Sequence, residues 1–407
     1  MGLPISVCMI VRDEAEALPV CLASVRDWVT EVVVVDTGSQ DDTVRIAQEM
    51  GAKVAFFPWQ DDFAAARNYS LSLAQGDWIL VLDADEVVLP EAVPLLGEVV
   101  QDATLLAVQL VRQELGSQQN PYTLVSRLFR NRRDIYFQGA YHELIDDSIT
   151  QIQAREPHWR VGQLATVALR HWGYTPAAIE KRQKQARMMR ILTQAAARQP
   201  QDAYLCAKLG ALYLAEGQME QALTWLTQGL ALHPPEPMVQ YELHFHLGLL
   251  YGRQGQWPQA ETHYQQAIQT ACPPLVKLGA YTNLGSLYHE QGALAQARTL
   301  FEQVVHLAPT WATGYYNLGL TLKAQKLLPA AVQAYQKALE LDPTLAAAHQ
   351  NLGIVWCHLG DLRRAQTHWQ TAIALYQQQG SAAGEKLQQE LQRLGLLPPP
   401  PAGHADT

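Results

Sequence analysis

Between residues 203 and 379 the chain repeats itself, and that repeat restricts the fold more than any other feature. Gly recurs at positions 210, 248, 285, 319 and 353. Each is preceded by Leu (Leu209, Leu247, Leu284, Leu318, Leu352) and followed twelve residues later by Ala (Ala222, Ala260, Ala297, Ala331, Ala365). A large side chain stands three residues after each Gly: Tyr213, Tyr251, Tyr288, Leu322 and Trp356. Pro follows by 24 residues in three copies, at Pro234, Pro309 and Pro343. The spacings are 38, 37, 34 and 34 residues, and the longer two contain the turn-like segments HPPEPM and TACPPL. A unit of this length suits two antiparallel helices. The small residues allow close approach, the large ones fill the gaps between stacked pairs, and Pro ends the second helix.

The pattern resembles the tetratricopeptide repeat over residues 203–379. It departs from that family in its early Trp, replaced here by Cys206, His244, Tyr281, Tyr315 and His349; packing is the simplest role for these side chains. Residues 381–395 read as a polar capping helix, which a solenoid end requires. The Pro-rich tail LPPPPAGHADT reads as disordered.

The N-terminal half alternates strand and helix patterns. ISVCMIV, EVVVVD, KVAFF and DWILVLD read as strands. Helices are expected over about Glu14–Trp28, from a Ser39 cap to about Met50, and from about Phe63 to Ala74. LLAVQLVR and TLVSRLFR read as further strands, open to antiparallel pairing. Such alternation predicts an open, Rossmann-like α/β sheet with helices on both faces. Thr175–Pro176 opens a long helix to about Arg198, with Pro in its first turn. The expected organisation is an α/β domain over 1–175, a linking helix over 176–202, five repeats over 203–379, and a cap with tail over 380–407.

Charge separates the two halves. Residues 1–175 carry 13 Lys/Arg against 24 Asp/Glu, whereas residues 176–407 carry 17 against 15. An acidic domain disfavours nucleic acid, whose phosphates need basic surfaces. If this domain holds a diphosphate, a divalent cation is the natural intermediary. Five scattered cysteines (Cys8, Cys21, Cys206, Cys272, Cys357) without CxxC spacing fit a reduced, cytoplasmic chain. No apolar run reaches the roughly 18 residues of a membrane span, and the first residues lack the basic region of a signal peptide.

In an open α/β sheet, ligands bind beyond the carboxyl ends of the strands. EVVVV ends at Asp36, and WILVL ends at Asp83, followed by Ala84, Asp85 and Glu86. Asp83 and Asp85 stand two apart at a strand tip, where such a pair can hold a hard cation and leave positions for phosphate oxygens. No GxGxxG follows the first strand and no GxxxxGK[ST] occurs, which disfavours dinucleotide dehydrogenases and P-loop enzymes. His171 could complete a metal shell, since imidazole suits Mn²⁺, or simply pack. Arg127, Arg130, Arg132 and Arg133 form the one basic cluster of the acidic half, either a phosphate attractor or a solvated loop.

The ordered set ISVCMIVRDEA, VVVVDTGSQDDT, AARNYSLSLAQGDWILVLDADE and RLFRN…AYHELI resembles the family 2 glycosyltransferases, which have the nucleotide-sugar-binding GT-A fold. The resemblance covers about residues 4–175. It implies that Asp36 contacts the nucleotide base, with Glu14 in the adjoining first-strand motif, and that Asp83, the first acid of a DxD motif, lies near ribose and phosphates. Asp85 would be the metal-binding acid, with Asp83 and His171 beside it. Arg67 and Asn68 would lie near the nucleotide-sugar. Mn²⁺ or Mg²⁺ would bridge the diphosphate, and a carboxylate would deprotonate the acceptor as the anomeric centre inverts. The usual acidic base motif is not evident, and Glu143, with His142, is the nearest candidate. The QxxRW motif of processive polymerases is missing, which points to transfer of a single sugar to a protein, peptide or glycan, with the repeats holding acceptor or partner.

Two other functions compete. One is a repeat scaffold with a degenerate nucleotide-binding domain, against which the intact Asp36, Asp83 and Asp85 argue. The other is an aspartic protease, suggested by Asp36-Thr37-Gly38-Ser39, but that chemistry needs two facing carboxylates and no second DTG exists.

Overall fold

The computed structural model describes residues 2–60, 62–116, 121–138, 145–172 and 178–397. Thr175–Pro176 and the Pro-rich tail from residue 398 lie outside the described residues. Two compact units emerge, residues 1–254 with 266–279, and residues 255–265 with 280–407.

Eight strands form one sheet: β1 (Leu3–Val11), β2 (Val29–Asp36), β3 (Lys53–Phe56), β4 (Trp78–Val81), β5 (Glu86–Val88), β6 (Leu105–Glu114), β7 (Tyr122–Arg130) and β8 (Arg160–His171). Their order is β3-β2-β1-β4-β7-β6-β8-β5. The first four pair in parallel; β7 runs antiparallel to β4 and β6, β8 runs parallel to β6, and β5 closes antiparallel on β8. This is a curled, open, mixed sheet of the GT-A-like kind.

The strand period of two distributes the apolar residues between two faces. Val7, Met9, Val32 and Val34 join one core cluster with Leu18, Leu22 and Leu96, whereas Cys8, Val33, Val35 and Val81 join another with Ala64, Ile149 and Ile152. Helices α1 (Leu18–Ala23), α2 (Thr43–Glu49) and α4 (Val93–Val99) therefore cover one face, and α3 (Phe63–Leu73) and α5 (Asp146–Arg155) the other. Burial on both sides explains why EVVVV is apolar throughout.

Two helices are shorter than the sequence predicts, because the loops preceding them bond to each other. Ser39 does not cap α2; its Oγ accepts the Asp13 amide at 2.9 Å. Asp41 accepts the amides of Ala15 and Thr43, and Thr43 Oγ1 accepts that of Glu14. Residues 13–15 are thus committed to the neighbouring loop, and α1 begins only at Leu18. The short β5 and the long β8 have no clear pattern in the sequence and were not anticipated.

Helix α6 (Ala178–Arg198) follows the sheet. The repeats then form α7 (Ala203–Ala215), α8 (Met219–Ala231), α9 (Pro237–Arg253), α10 (Trp257–Gln269), α11 (Leu278–Glu290), α12 (Leu294–Leu307), α13 (Ala312–Ala324), α14 (Leu328–Leu341), α15 (Ala346–His358) and α16 (Leu362–Gln378), with α17 (Ala383–Arg393) after them. The five repeat alanines are fully buried. Helices α7 and α9 and the short turn Pro274–Lys277 belong to the first unit, and that turn packs against β7. The first repeat and the first helix of the second therefore share a compact unit with the sheet, although the sequence pattern places them with the other repeats.

Four of the five repeat glycines make room for a bulky residue sixteen positions later. A Cβ on Gly210 would stand 2.5 Å from Leu226; the corresponding distances are 2.9 Å for Gly285 and Phe301, 2.7 Å for Gly319 and Tyr335, and 2.5 Å for Gly353 and Trp369. The indole of Trp369 is 2% exposed and has little room to withdraw. Gly353→Ala is accordingly expected to lower the unfolding free energy by about 1–3 kcal/mol through overpacking. Chemical denaturation would check this, and an unchanged midpoint would show that the repeat tolerates a wider helix spacing.

Candidate active site

Strands β2, β1 and β4 are neighbours, so the ends of β2 and β4 flank the end of β1, roughly 10 Å apart at two strand spacings. Asp36 closes β2 in register with Val11 of β1 and Phe56 of β3. It is 2% exposed, and its carboxylate accepts the amides of Gly38 at 3.0 Å and Ser39 at 3.1 Å. Its visible work is to fold the loop after β2. Glu14 contributes to the same region through its backbone, donating to Thr43 Oγ1 and accepting from Leu18.

At the end of β4 the acids join a continuous chain of alternating charges. Arg67 Nη2 donates to Asp83 Oδ1 at 2.6 Å, and Arg127 Nη2 to Asp83 Oδ2 at 2.7 Å. Glu86, fully buried, accepts the Asp83 amide at 2.9 Å on one oxygen and Arg112 Nη1 at 2.6 Å on the other. Arg112 Nε donates to Glu114 Oε1 at 2.7 Å, and Thr123 Oγ1 donates to the same oxygen at 2.6 Å. Glu114 Oε2 lies 2.6 Å from His171 Nδ1, and His171 Nε2 lies 3.2 Å from Asp85 Oδ2. Asp83, Glu86, Glu114 and Asp85 thus alternate with Arg67, Arg127, Arg112 and His171.

The ionisation of these groups follows from their neighbours. Burial favours the neutral acid at Asp83, but the fields of Arg127 and Arg67 outweigh it and hold the carboxyl far below the usual range. Burial opposes charge at Glu114 too, yet hydrogen bonding to His171, the field of Arg112 and the Thr123 hydroxyl bring it down to about 2. Burial opposes the imidazolium of His171, and its bonds to Asp85 and Glu114 overcome this and raise it to about 9. Cys21 donates its thiol to the Asp83 carbonyl; burial and then the fields of Glu86, Asp83 and Asp85 push the thiol well up.

The expected site residues divide in an informative way. Arg67, Asp83, Asp85 and His171 come together. Asp83, expected in the metal shell, accepts one guanidinium on each carboxylate oxygen. Asn68 spends both amide atoms on the backbone of Phe137, accepting its N–H at 2.7 Å and donating to its carbonyl at 2.9 Å. It anchors the backbone at Phe137; His142 and Glu143 lie outside the described residues. The basic cluster splits because β7 runs antiparallel to β4. Arg127 reaches the carboxyl rim, whereas Arg130, paired with Trp78 at the start of β4, stacks on that indole at 4.6 Å, and Arg132 pairs with Asp134 and Glu156.

Glu86, Arg112 and Glu114 were not singled out from the sequence. The signal for Arg112 and Glu114 was the RxE spacing at the end of a strand, which sends both side chains to one face. Among the described residues no three His, Cys, Asp or Glu side chains converge as a metal cage. Asp85 and His171 provide one carboxylate and one imidazole at a separation one divalent ion could bridge. The donor set therefore fits a cation whose remaining ligands come from a diphosphate or water.

Fold and rim together define a GT-A-like glycosyltransferase domain continued by a helical-repeat solenoid. Comparison with known proteins agrees: Glycosyl transferase family 2 matches residues 6–162, and the tetratricopeptide repeat matches residues 205–238, 239–310, 312–345 and 334–367. The chain thus carries an N-terminal family 2 glycosyltransferase domain and C-terminal tetratricopeptide repeats. It is 46% identical to a TPR repeat-containing protein of Synechococcus elongatus over 96% of this chain and 97% of that one. It is also 44% identical to an uncharacterized glycosyltransferase of Rickettsia felis over 20% of this chain and 29% of that one. With the SPbeta prophage-derived glycosyltransferase SunS of Bacillus subtilis it shares 29% identity over 33% of each.

Glu86 ties the two arginine-rich halves of the rim. Glu86→Ala is expected to lower the unfolding free energy by about 3–5 kcal/mol, because Arg112 would be left buried with half its compensation. Thermal or urea unfolding would measure this. A loss under about 1 kcal/mol, the range of exposed pairs, would show that water replaces the carboxylate at no great cost.

Proposed function

We propose that the chain transfers a single sugar, with inversion, from a nucleoside diphosphate sugar to a protein, peptide or glycan acceptor. The observation that carries this reading is the adjacency of Asp85 and His171 at the sheet's carboxyl rim, on an otherwise charge-balanced network. Bound Mn²⁺ or Mg²⁺ would neutralise the charge that develops on the departing diphosphate. Asp85 and His171 are the residues to hold it. Arg67 and Arg127 keep Asp83 ionised beside it, where its exposed part can meet the donor's ribose. Asp36 and Glu14 shape the base side of the cleft. Glu143, with His142, is the proposed base that takes the acceptor proton.

The repeats are proposed to hold the acceptor or a protein partner. The acidic charge of the first 175 residues disfavours nucleic acid in either role. Among the described residues no helix is long and apolar enough to cross a membrane. A scaffold with a degenerate domain is the weaker reading, because four carboxylates are held at the rim in mutual contact with three arginines and His171.

A donor screen tests the proposal by measuring nucleoside diphosphate release from several nucleotide-sugars, with Mn²⁺ and after chelation. Release is expected to depend on the cation and to fall at least about 100-fold in Asp85→Ala, the scale on which removal of a transition-state charge stabiliser acts. Equal release with and without metal would remove the cation from the reaction. Glu143→Gln is expected to abolish transfer while donor binding, followed by thermal shift, persists. Unchanged turnover in that variant would assign the base elsewhere.

A further inference from the structure

His171 ends β8, and its neighbours across the sheet are both acids. Its Cα is in register with Glu86 of β5 on one side and with Glu114 of β6 on the other. Residues in register on adjacent strands project to the same face, so the imidazole emerges between two carboxylate-bearing strands. Its two nitrogens meet different acids in different surroundings. On the Nδ1 side, Glu114 is 7% exposed, and its second oxygen is held by Arg112 and Thr123. On the Nε2 side, Asp85 is 32% exposed, and its contact is longer, 3.2 Å against 2.6 Å. The Nδ1 contact is built into the sheet; the Nε2 contact faces the open rim.

We propose that Glu114 is a positioning residue for the cation site: by holding Nδ1–H it fixes the ring of His171 so that Nε2 is the nitrogen presented beside Asp85. The inference rests on the reading that Asp85 and His171 hold the donor's cation. Thr123 and Arg112 fix Glu114 in turn, and Glu86 fixes Arg112, so the ring orientation is set by three strands and not by a loop. A histidine ligand whose far nitrogen is anchored keeps its tautomer and ring plane, and removing such an anchor commonly costs about 10–100-fold in metal affinity.

The test uses the full chain and Mn²⁺ alone, with affinity measured by electron paramagnetic resonance or calorimetry in the absence of any donor. Glu114→Gln is expected to weaken Mn²⁺ binding about 10–100-fold without loss of the cooperative thermal transition. Thr123→Val leaves every charge in place and is expected to weaken binding in the same direction by a smaller factor. It carries the test if Glu114→Gln fails to fold. His171→Gln reports on the underlying reading. If wild type binds Mn²⁺, His171→Gln loses it and the folded Glu114 and Thr123 variants both keep wild-type affinity, the positioning role is overturned and the cation reading survives. If wild type binds no Mn²⁺, or His171→Gln binds it as well as wild type, both fall together.

Discussion

The structure depends on charge compensation at the carboxyl end of one sheet. Isolated, any one of Asp83, Glu86 or Glu114 would be costly to bury, since a carboxylate removed from water needs partners for both its charge and its lone pairs. Here each acid is matched by a cation from another strand or helix: Arg67 from α3, Arg127 from β7, Arg112 from β6 and His171 from β8. The network consequently joins elements far apart in sequence. The strands added after β4 do more than widen the sheet, because β7 brings Arg127, whose field with that of Arg67 keeps Asp83 ionised, and β6 brings Arg112 to the buried Glu86.

This arrangement also accounts for what the sequence revealed and what it concealed. The four parallel strands were legible because each is an apolar run ending in a turn, and Asp36, Asp83 and Asp85 were legible because they follow such runs directly. Asp83's ion-pair partners were not, since nothing local indicates that Arg67, sixteen residues earlier, and Arg127, forty-four residues later, both end on its carboxylate. Glu86 and Glu114 read as ordinary charged residues at strand ends, and β5 and β8 are too irregular in pattern to announce themselves. The register that sets Glu86, His171 and Glu114 in one row exists only once β8 has been inserted between β6 and β5.

The helical half was more legible because its constraint is local and repeated. A Gly facing a bulky residue sixteen positions later is a contact within one helical pair, so its signature recurs with the repeat. Where the repeat meets the sheet, this logic loses its hold. Helices α7 and α9 carry the same Leu-Gly pair as the later ones, yet they belong to the compact unit containing the sheet. Lys208 of α7 pairs with Glu242 of α9 at 2.7 Å and lies close enough to Arg112 to feel its charge. The repeat pattern records how helices pack on each other and is silent about what else they cover.

That continuity bears on how an acceptor could be selected. A solenoid joined by a free linker would raise the local concentration of a bound partner without orienting it. Here the first repeat lies in the same compact unit as the sheet, and within that unit the turn Pro274–Lys277 packs against β7. Strands β6 and β7 supply Arg112, Glu114 and Arg127 to the rim. On the proposed role of the repeats in holding an acceptor, such packing is the condition under which binding energy remote from the reacting atoms can be converted into orientation.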